Sequence, residues 1–291
     1  MAKLFNSKQA VLVSLNMGIW ANNALDQAVS DELATQKNLS DKADLRVWKT
    51  LLPKHDELDL VRSIVGKARR FHLDQTFPWV HDGTRLLSTK NYMHYMEFMR
   101  RTSIEFDAAV AAFMARYEIN IEMAEESLNS IFKRGDYPSA QNLRSKFHFR
   151  TVVMPVPEGS MFEAELESEE ATKIRRDIES QVQQTFEAAS RDNWDRFYAI
   201  INKVQERLSN PKGVTEATLQ SLRDMLDFLD RMNVTSDERL EALRKQAEDR
   251  LAGFTAKELN KDGDKKAIAV AQAAQIESSM AAFMGVTARA A

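Results

Sequence analysis

Between Tyr92 and Ile131 the chain spaces its apolar residues like one very long helix. Tyr92, Met96, Met99, Ser103, Phe106, Val110, Phe113 and Tyr117 follow one another in steps of four and three, and seven of these eight are apolar or aromatic. Alternating steps of that kind keep a single stripe on one side of an α-helix, as in a coiled coil. The pattern resumes at Ile121, Ala124, Leu128 and Ile131, displaced by one residue. Two four-residue steps in a row, at 113–117–121, form a stutter, which locally unwinds a coiled coil. A helix from Thr89 to Phe132 would measure about 66 Å. That is too long for a compact α/β core, so the spacing predicts an extended arm, stopped by Gly135, Asp136 and Pro138.

A second helix of matching length is predicted over 168–209. Ala171, Ile174, Ile178, Val182, Phe186 and Ala189 mark its first half, and Trp194, Phe197, Ile201, Val204 and Leu208 its second. Ser190-Arg191-Asp192-Asn193 breaks the phase between them and predicts a kink. The acidic run Glu163, Glu165, Glu167, Glu169 and Glu170 suits the positive end of that helix. Two long helices of equal length predict an antiparallel hairpin.

Elsewhere the periodicity changes. Val11, Val13, Leu15, Met17 and Ile19 alternate with their neighbours, which predicts a half-buried strand over 11–20. Phe147–Pro157 is the second strand expected, paired with the first, its end confined to a sheet edge by Pro155 and Pro157. Shorter helices are expected over 25–39, 43–52 (ended by Pro53), 56–72 and 137–146. Beyond the linker Asn210-Pro211-Lys212-Gly213, three more are expected over 215–232, 236–251 and 265–284. The fold class is therefore mainly α with a small β element: a long antiparallel, coiled-coil-like hairpin on a small α/β base, plus C-terminal helices. Residues 1–88 and 137–160 are assigned to the base, 89–136 and 161–209 to the hairpin, and 214–286 to the C-terminal helical region.

Composition limits function more than it names it. Only 9 glycines and 6 prolines argue against an all-β chain, which needs many tight turns. With 40 basic and 43 acidic residues the net charge is −3, which does not favour duplex DNA or an anionic membrane as the main partner. The absence of cysteine excludes disulfides, thiol catalysis and thiolate metal sites. No apolar run approaches the ~18–20 residues that span a bilayer. A cytoplasmic protein is expected, in the host cytoplasm if phage-encoded.

Chemistry-bearing residues concentrate in Phe77-Pro78-Trp79-Val80-His81-Asp82-Gly83-Thr84-Arg85-Leu86-Leu87 and the helix after it. Pro78 biases Phe77 toward extended backbone, and Asp82-Gly83 is a turn dipeptide. The stretch reads as the junction between base and arm, anchored by Phe77, Trp79, Leu86 and Leu87, with His81 and Arg85 left free. Trp79, His81, Arg85 and Lys90 are the partner-binding candidates.

Other constellations are weaker. His72, Asp74, His81, Asp82, His94 and Glu97 include metal-ligand types, but no His-Glu-x-x-His motif presets a site, and His94/Glu97 is a single i,i+3 pair where bundle di-iron sites need two. His81, Asp82 and His94 stay as weak metal candidates, and neither a metal nor a cofactor is expected. No phosphate-cradling glycine motif occurs. Asn260-Lys261-Asp262-Gly263-Asp264 resembles a calcium loop, but Ala271 stands where the loop needs Glu. No Gly-x-Ser-x-Gly elbow occurs. Lys67, Arg69, Arg70, Arg85, Lys90, Arg100 and Arg101, interleaved with Trp79, Tyr92 and Tyr95, form a set that could stack single-stranded bases. Among 13 methionines, Met93, Met96, Met99 and Met114 share the long helix and read as core before partner surface.

With the Phe77–Leu87 motif, Asn91-Tyr92 and Met154-Pro155-Val156-Pro157 in view, the chain resembles an uncharacterised protein family of phages and conjugative elements, over roughly residues 10–210. Its members are often encoded near MoxR-type AAA+ ATPases and recombination proteins. The resemblance implies an accessory protein working in an assembly and transfers no catalytic residue. The leading expectation is a non-catalytic helical adaptor or scaffold, a homo-oligomer or a binder of a protein such as an AAA+ ATPase, with no membrane association. Its rival is a single-stranded nucleic-acid-binding accessory factor; a metal-dependent hydrolase ranks third.

Overall fold

The computed structural model describes residues 7–39, 45–52, 56–80, 83–161 and 168–284. Most of them are helical, and the strands are few. β1 (Ala10–Gly18), β4 (Phe77–Pro78), β5 (Thr84–Ser88) and β6 (His148–Pro155) form one antiparallel sheet in the order β4-β5-β1-β6. The strand expected at 147–157 therefore does lie beside the one expected at 11–20. The sheet is larger than two strands because the 77–88 segment folds as a hairpin. Ala10 opposes Ser88 and Ser14 opposes Thr84 on β1, while Phe77 opposes Leu86 on the other flank of β5.

The chain divides into two compact units. One comprises 1–14, 73–95 and 153–291; the other comprises 15–72 and 96–152. In the second unit, a ribbon of β2 (Asn23–Leu25) and β3 (Trp48–Thr50) precedes and follows α1 (Gln27–Gln36). A helix was expected over 43–52. Its described part, 45–52, instead carries β3, where Trp48 and Thr50 suit extended backbone. Asn22 takes a positive φ of 59° and holds Leu52 with both ends of its amide, donating to the carbonyl at 3.0 Å and accepting from the N–H at 2.9 Å.

Around that ribbon pack α2 (Asp56–Asp74), α3 (Tyr92–Ala115), α4 (Tyr117–Leu128) and the short α5 (Ala140–Arg144). Their core gathers Trp20, Leu51, Leu58, Val61, Phe106, Phe113, Tyr117 and Phe147. The long helix expected over 89–132 is broken. It opens with a 3-10 turn over Thr89–Asn91, and Arg116, at φ −103° and ψ 1°, separates α3 from α4. The break falls within the stutter. Phe113, Tyr117 and Ile121, on either side of the break, all lie in the same core.

Gly18 is required by a close approach. A Cβ there would sit 2.2 Å from the His148 ring, which rests over the strand with Nε2 2.7 Å from Asn16 Oδ1.

In the first unit, α6 (Ser168–Ser209) runs unbroken through the segment where a kink was expected. α7 (Glu216–Met232), α8 (Glu238–Ala247), α9 (Ala256–Lys261) and α10 (Gly263–Met284) follow, with a π-helical turn at Glu248–Ala252. The sequence pattern did not predict α9. The apolar stripe of α6 is covered by α7 and α10, burying Phe186, Phe197, Ile201, Val204 and Leu208 with Leu222, Leu229, Ala273 and Ile276. In the second unit, Phe106, Val110, Phe113, Tyr117, Ile121 and Ala124 of the α3–α4 stripe lie in the core. The 210–213 linker is pinned too. Gly213, at φ +75°, leaves room for Asn260, whose amide accepts from and donates to the Val214 backbone at 3.0 and 2.8 Å.

Candidate functional site

The β4–β5 hairpin is where the sequence concentrates its candidates. Its turn residues His81 and Asp82 lie outside the described residues, so their roles as partner or metal candidates rest on the sequence. Gly83 takes φ +85°, the left-handed geometry that the turn needs. The Trp79 N–H reaches Thr84 O at 3.3 Å, and its side chain is half-buried.

Arg85 corrects the expectation that it stands free. Its Nε donates to Thr76 Oγ1 at 2.6 Å, and its Nη2 donates to Thr76 O at 2.8 Å and Leu73 O at 3.4 Å. A guanidinium spent on carbonyls at a helix C-terminus is a clamp, because those carbonyls have no partner within the helix. Lys90 is exposed on the 3-10 turn, and His94 is exposed on the first turns of α3. Among the described residues, no three His, Asp or Glu side chains gather closely enough to hold a metal ion. Of the cations named for the nucleic-acid reading, Arg85 is engaged in the clamp, while Lys67, Arg69, Arg70, Lys90, Arg100 and Arg101 are exposed.

Beside the clamp lies a polar network that ties the hairpin to α6 and α7. Asp192 pairs with Arg196 at 2.7 Å, and Arg196 also donates to Asp74 O at 3.4 Å and lies 5.2 Å over the Phe228 ring. Burial, and then Arg196, push Arg85 below the usual guanidinium value, with Asp192 opposing. Burial raises the Tyr95 phenol well above its ordinary value, against the pull of Arg85.

Asn91 is fully buried and uses its whole amide. Nδ2 donates to Gln75 Oε1 at 3.0 Å and approaches Met232 Sδ at 3.3 Å; Oδ1 accepts from Arg231 Nε at 3.1 Å. Asn193, also buried, donates to Met232 O at 2.9 Å. Two asparagines thus grip the end of α7. The bonds they make go to protein partners and hold elements together, while Asn193 Oδ1 is buried without a hydrogen-bond partner among the described residues.

The first unit also carries two surface clefts that sequence reasoning missed. One, about 460 Å³, has Glu187, Arg191, Trp194, Asp237, Arg239 and Phe283 among its lining residues. Trp194 forms a wall, its Nε1 donating to Asp237 Oδ2 at 3.0 Å. The other carboxylate oxygen of Asp237 caps α8 through the N–H groups of Arg239 and Leu240. Phe283 remains 51% exposed although its ring lies 5.8 Å from Trp194 and the Arg239 guanidinium lies 5.3 Å over it. Only Trp194 had a sequence signal, as one position in an apolar stripe. Phe283 is 89 residues away, and no periodicity joins them.

The second cleft, about 520 Å³, is polar and includes Arg223, Asp224, Asp227, Asp230, Arg244 and Glu248. Arg244 is nearly buried and gives two bonds of 2.9 Å to Glu241 and one of 2.8 Å to Glu248, which raise its pKa. Arg223 donates to the carbonyls of Ala252 and Phe254 at 3.0 and 2.8 Å. Both cations are committed to the fold.

Among the described residues, no helix is long and apolar enough to cross a membrane. Comparison of the chain with protein-family models, curated proteins and solved structures finds no match.

Proposed function

We propose that this protein is a non-catalytic adaptor or scaffold component, an accessory protein of the phage or mobile-element kind that works by binding another protein, such as an AAA+ ATPase, or further copies of itself. The observation that carries the reading is the Trp194–Phe283–Arg239 cleft. Trp and Arg are the residue types that dominate protein-interface energetics. Here both flank a phenylalanine left half in water, while the polar networks nearby are spent on structure.

Light scattering coupled to size-exclusion chromatography tests the reading, on the full chain alone and mixed with the products of neighbouring genes. A larger particle is expected, and Phe283→Ser combined with Arg239→Ala should weaken it about tenfold or more, the loss of roughly one interface hot spot. A strictly monomeric chain that binds none of those products would overturn it.

A further inference from the structure

α4 lies wholly within the 15–72 and 96–152 unit, and its charges are all of one sign. It carries Glu118, Glu122, Glu125 and Glu126, with no cation from Tyr117 to Leu128. Glu118, Glu122 and Glu126 stand four residues apart, so they form one row along the helix. Like charges at that spacing repel each other and weaken a helix.

Cations do lie beyond both ends of α4, and their engagements are visible. Arg116 pairs with Glu57 at 2.8 Å, and Arg134 pairs with Glu118 at 3.0 Å, which relieves one end of the row. Lys133 is exposed and bears on Asp26, whose carboxyl it helps to hold down. Glu122, Glu125 and Glu126 are exposed and make no ion pair among the described residues.

Beside the acidic row runs an apolar one. At about 100° per residue, Ile119 and Met123 fall next to Glu122 and Glu126. They turn away from Tyr117, Ile121 and Ala124, which lie in the core. Ile119 is 51% exposed and Met123 56% exposed. One exposed apolar side chain needs no explanation. Two of them one turn apart, edged by unpaired carboxylates, make a surface with both an apolar and an electrostatic preference.

We propose that the outer face of α4 docks a basic amphipathic helix of a partner protein, whose apolar row packs on Ile119 and Met123 and whose lysine or arginine row meets Glu122 and Glu126. Helices recognise one another through rows of side chains spaced every three or four residues. The charge decides the occupant. A second α4 would set carboxylates against carboxylates, and a nucleic acid or an anionic membrane would meet the same repulsion. A cationic helix instead removes the repulsion within the row. The proposal rests on the adaptor reading in taking a protein as the partner, but it uses a surface other than the Trp194–Phe283 cleft.

The test is fluorescence anisotropy on the full chain at about 0.15 M salt, where exposed charges are screened as in a cell. The probe is a labelled synthetic peptide of leucine, alanine and lysine, its leucines in one helical row and its lysines in the next. A peptide with glutamates in place of the lysines is the control. The lysine peptide should bind, and the glutamate peptide should not. Glu122→Lys with Glu126→Lys alters two exposed side chains and should keep the fold by circular dichroism. It should weaken the lysine peptide about tenfold or more and create binding of the glutamate peptide. Ile119→Gln with Met123→Gln leaves every charge in place and should also weaken the lysine peptide about tenfold. Phe283→Ser should leave peptide binding unchanged.

Any of four results would overturn the proposal. The lysine peptide does not bind; the Glu122→Lys and Glu126→Lys chain binds it undiminished; the Ile119→Gln and Met123→Gln chain binds it undiminished, so that net charge alone attracts it; or the unaltered chain binds a labelled single-stranded oligonucleotide that the Ile119→Gln and Met123→Gln chain loses. Failure of the adaptor reading shows separately, as a chain that takes the peptide at α4 yet binds no neighbouring gene product.

Discussion

At the scale of single residues, this chain uses buried polar side chains as fasteners. Asn91 joins the start of α3 to Gln75 and to the end of α7 through both halves of its amide. Asn91→Ala should remove the bonds to Gln75 and Arg231 and leave a small cavity where the buried amide stood, and cost about 1–2 kcal/mol. A lower urea midpoint with an unchanged slope is the expected reading; an unmoved midpoint would mean that water replaces the amide without loss. Arg85 teaches a related lesson. A cation beside an aromatic, turn-rich loop reads as a binding residue in sequence. What decides its role is the pair of carbonyls at Leu73 and Thr76, and backbone carbonyls leave no mark in a residue pattern.

At the scale of elements, the β2–β3 ribbon is fastened by one buried cation. Lys49 lies 3.5 Å from Asp26 and 2.8 Å from Asp136, and also donates to Ile131 O. The Asp26 carboxyl is held below its ordinary value, chiefly by the Val29 N–H that it caps and further by Lys49, while burial opposes. A folded-state pKa below the unfolded one gives stability that is present above the unfolded value, about 3.9, and lost as pH falls through the lowered one. Asp26→Asn keeps an N-cap but removes the charge. Its acid unfolding, followed by circular dichroism below pH 4, should therefore be flatter than that of the unaltered chain; an identical acid limb would contradict the assignment.

Element reading from sequence succeeded where one face is buried. The 56–72, 168–209 and 215–232 expectations meet α2, α6 and α7 nearly end to end. It failed at β5, where Leu86 and Leu87 are both fully buried, so the strand has no alternation to show. It failed at β3, where three residues are too few for any period. The break at Arg116 has no Gly or Pro to announce it. Only the stutter marks it, and a stutter alone does not distinguish an unwound helix from a broken one.

At the scale of the whole molecule, the chain passes between its two units at residues 14–15, 72–73, 95–96 and 152–153. A fragment ending at Pro157 holds every residue of the 15–72 and 96–152 unit. It should keep the Trp20–Phe113–Tyr117 aromatic cluster, and with it a near-ultraviolet circular dichroism signal and a cooperative urea transition. Loss of both would show that this unit does not fold by itself. The same weave has a consequence for the chain's manufacture. All of one unit has been made by Val152, and the chain from there to Met232, the end of α7, takes another ~4–16 s at ~5–20 residues per second. Through that interval Leu86, Leu87 and Asn91 await α7, whose residues do not yet exist. The window in which this protein most needs a chaperone is therefore set by translation speed, before any denaturant or heat is applied.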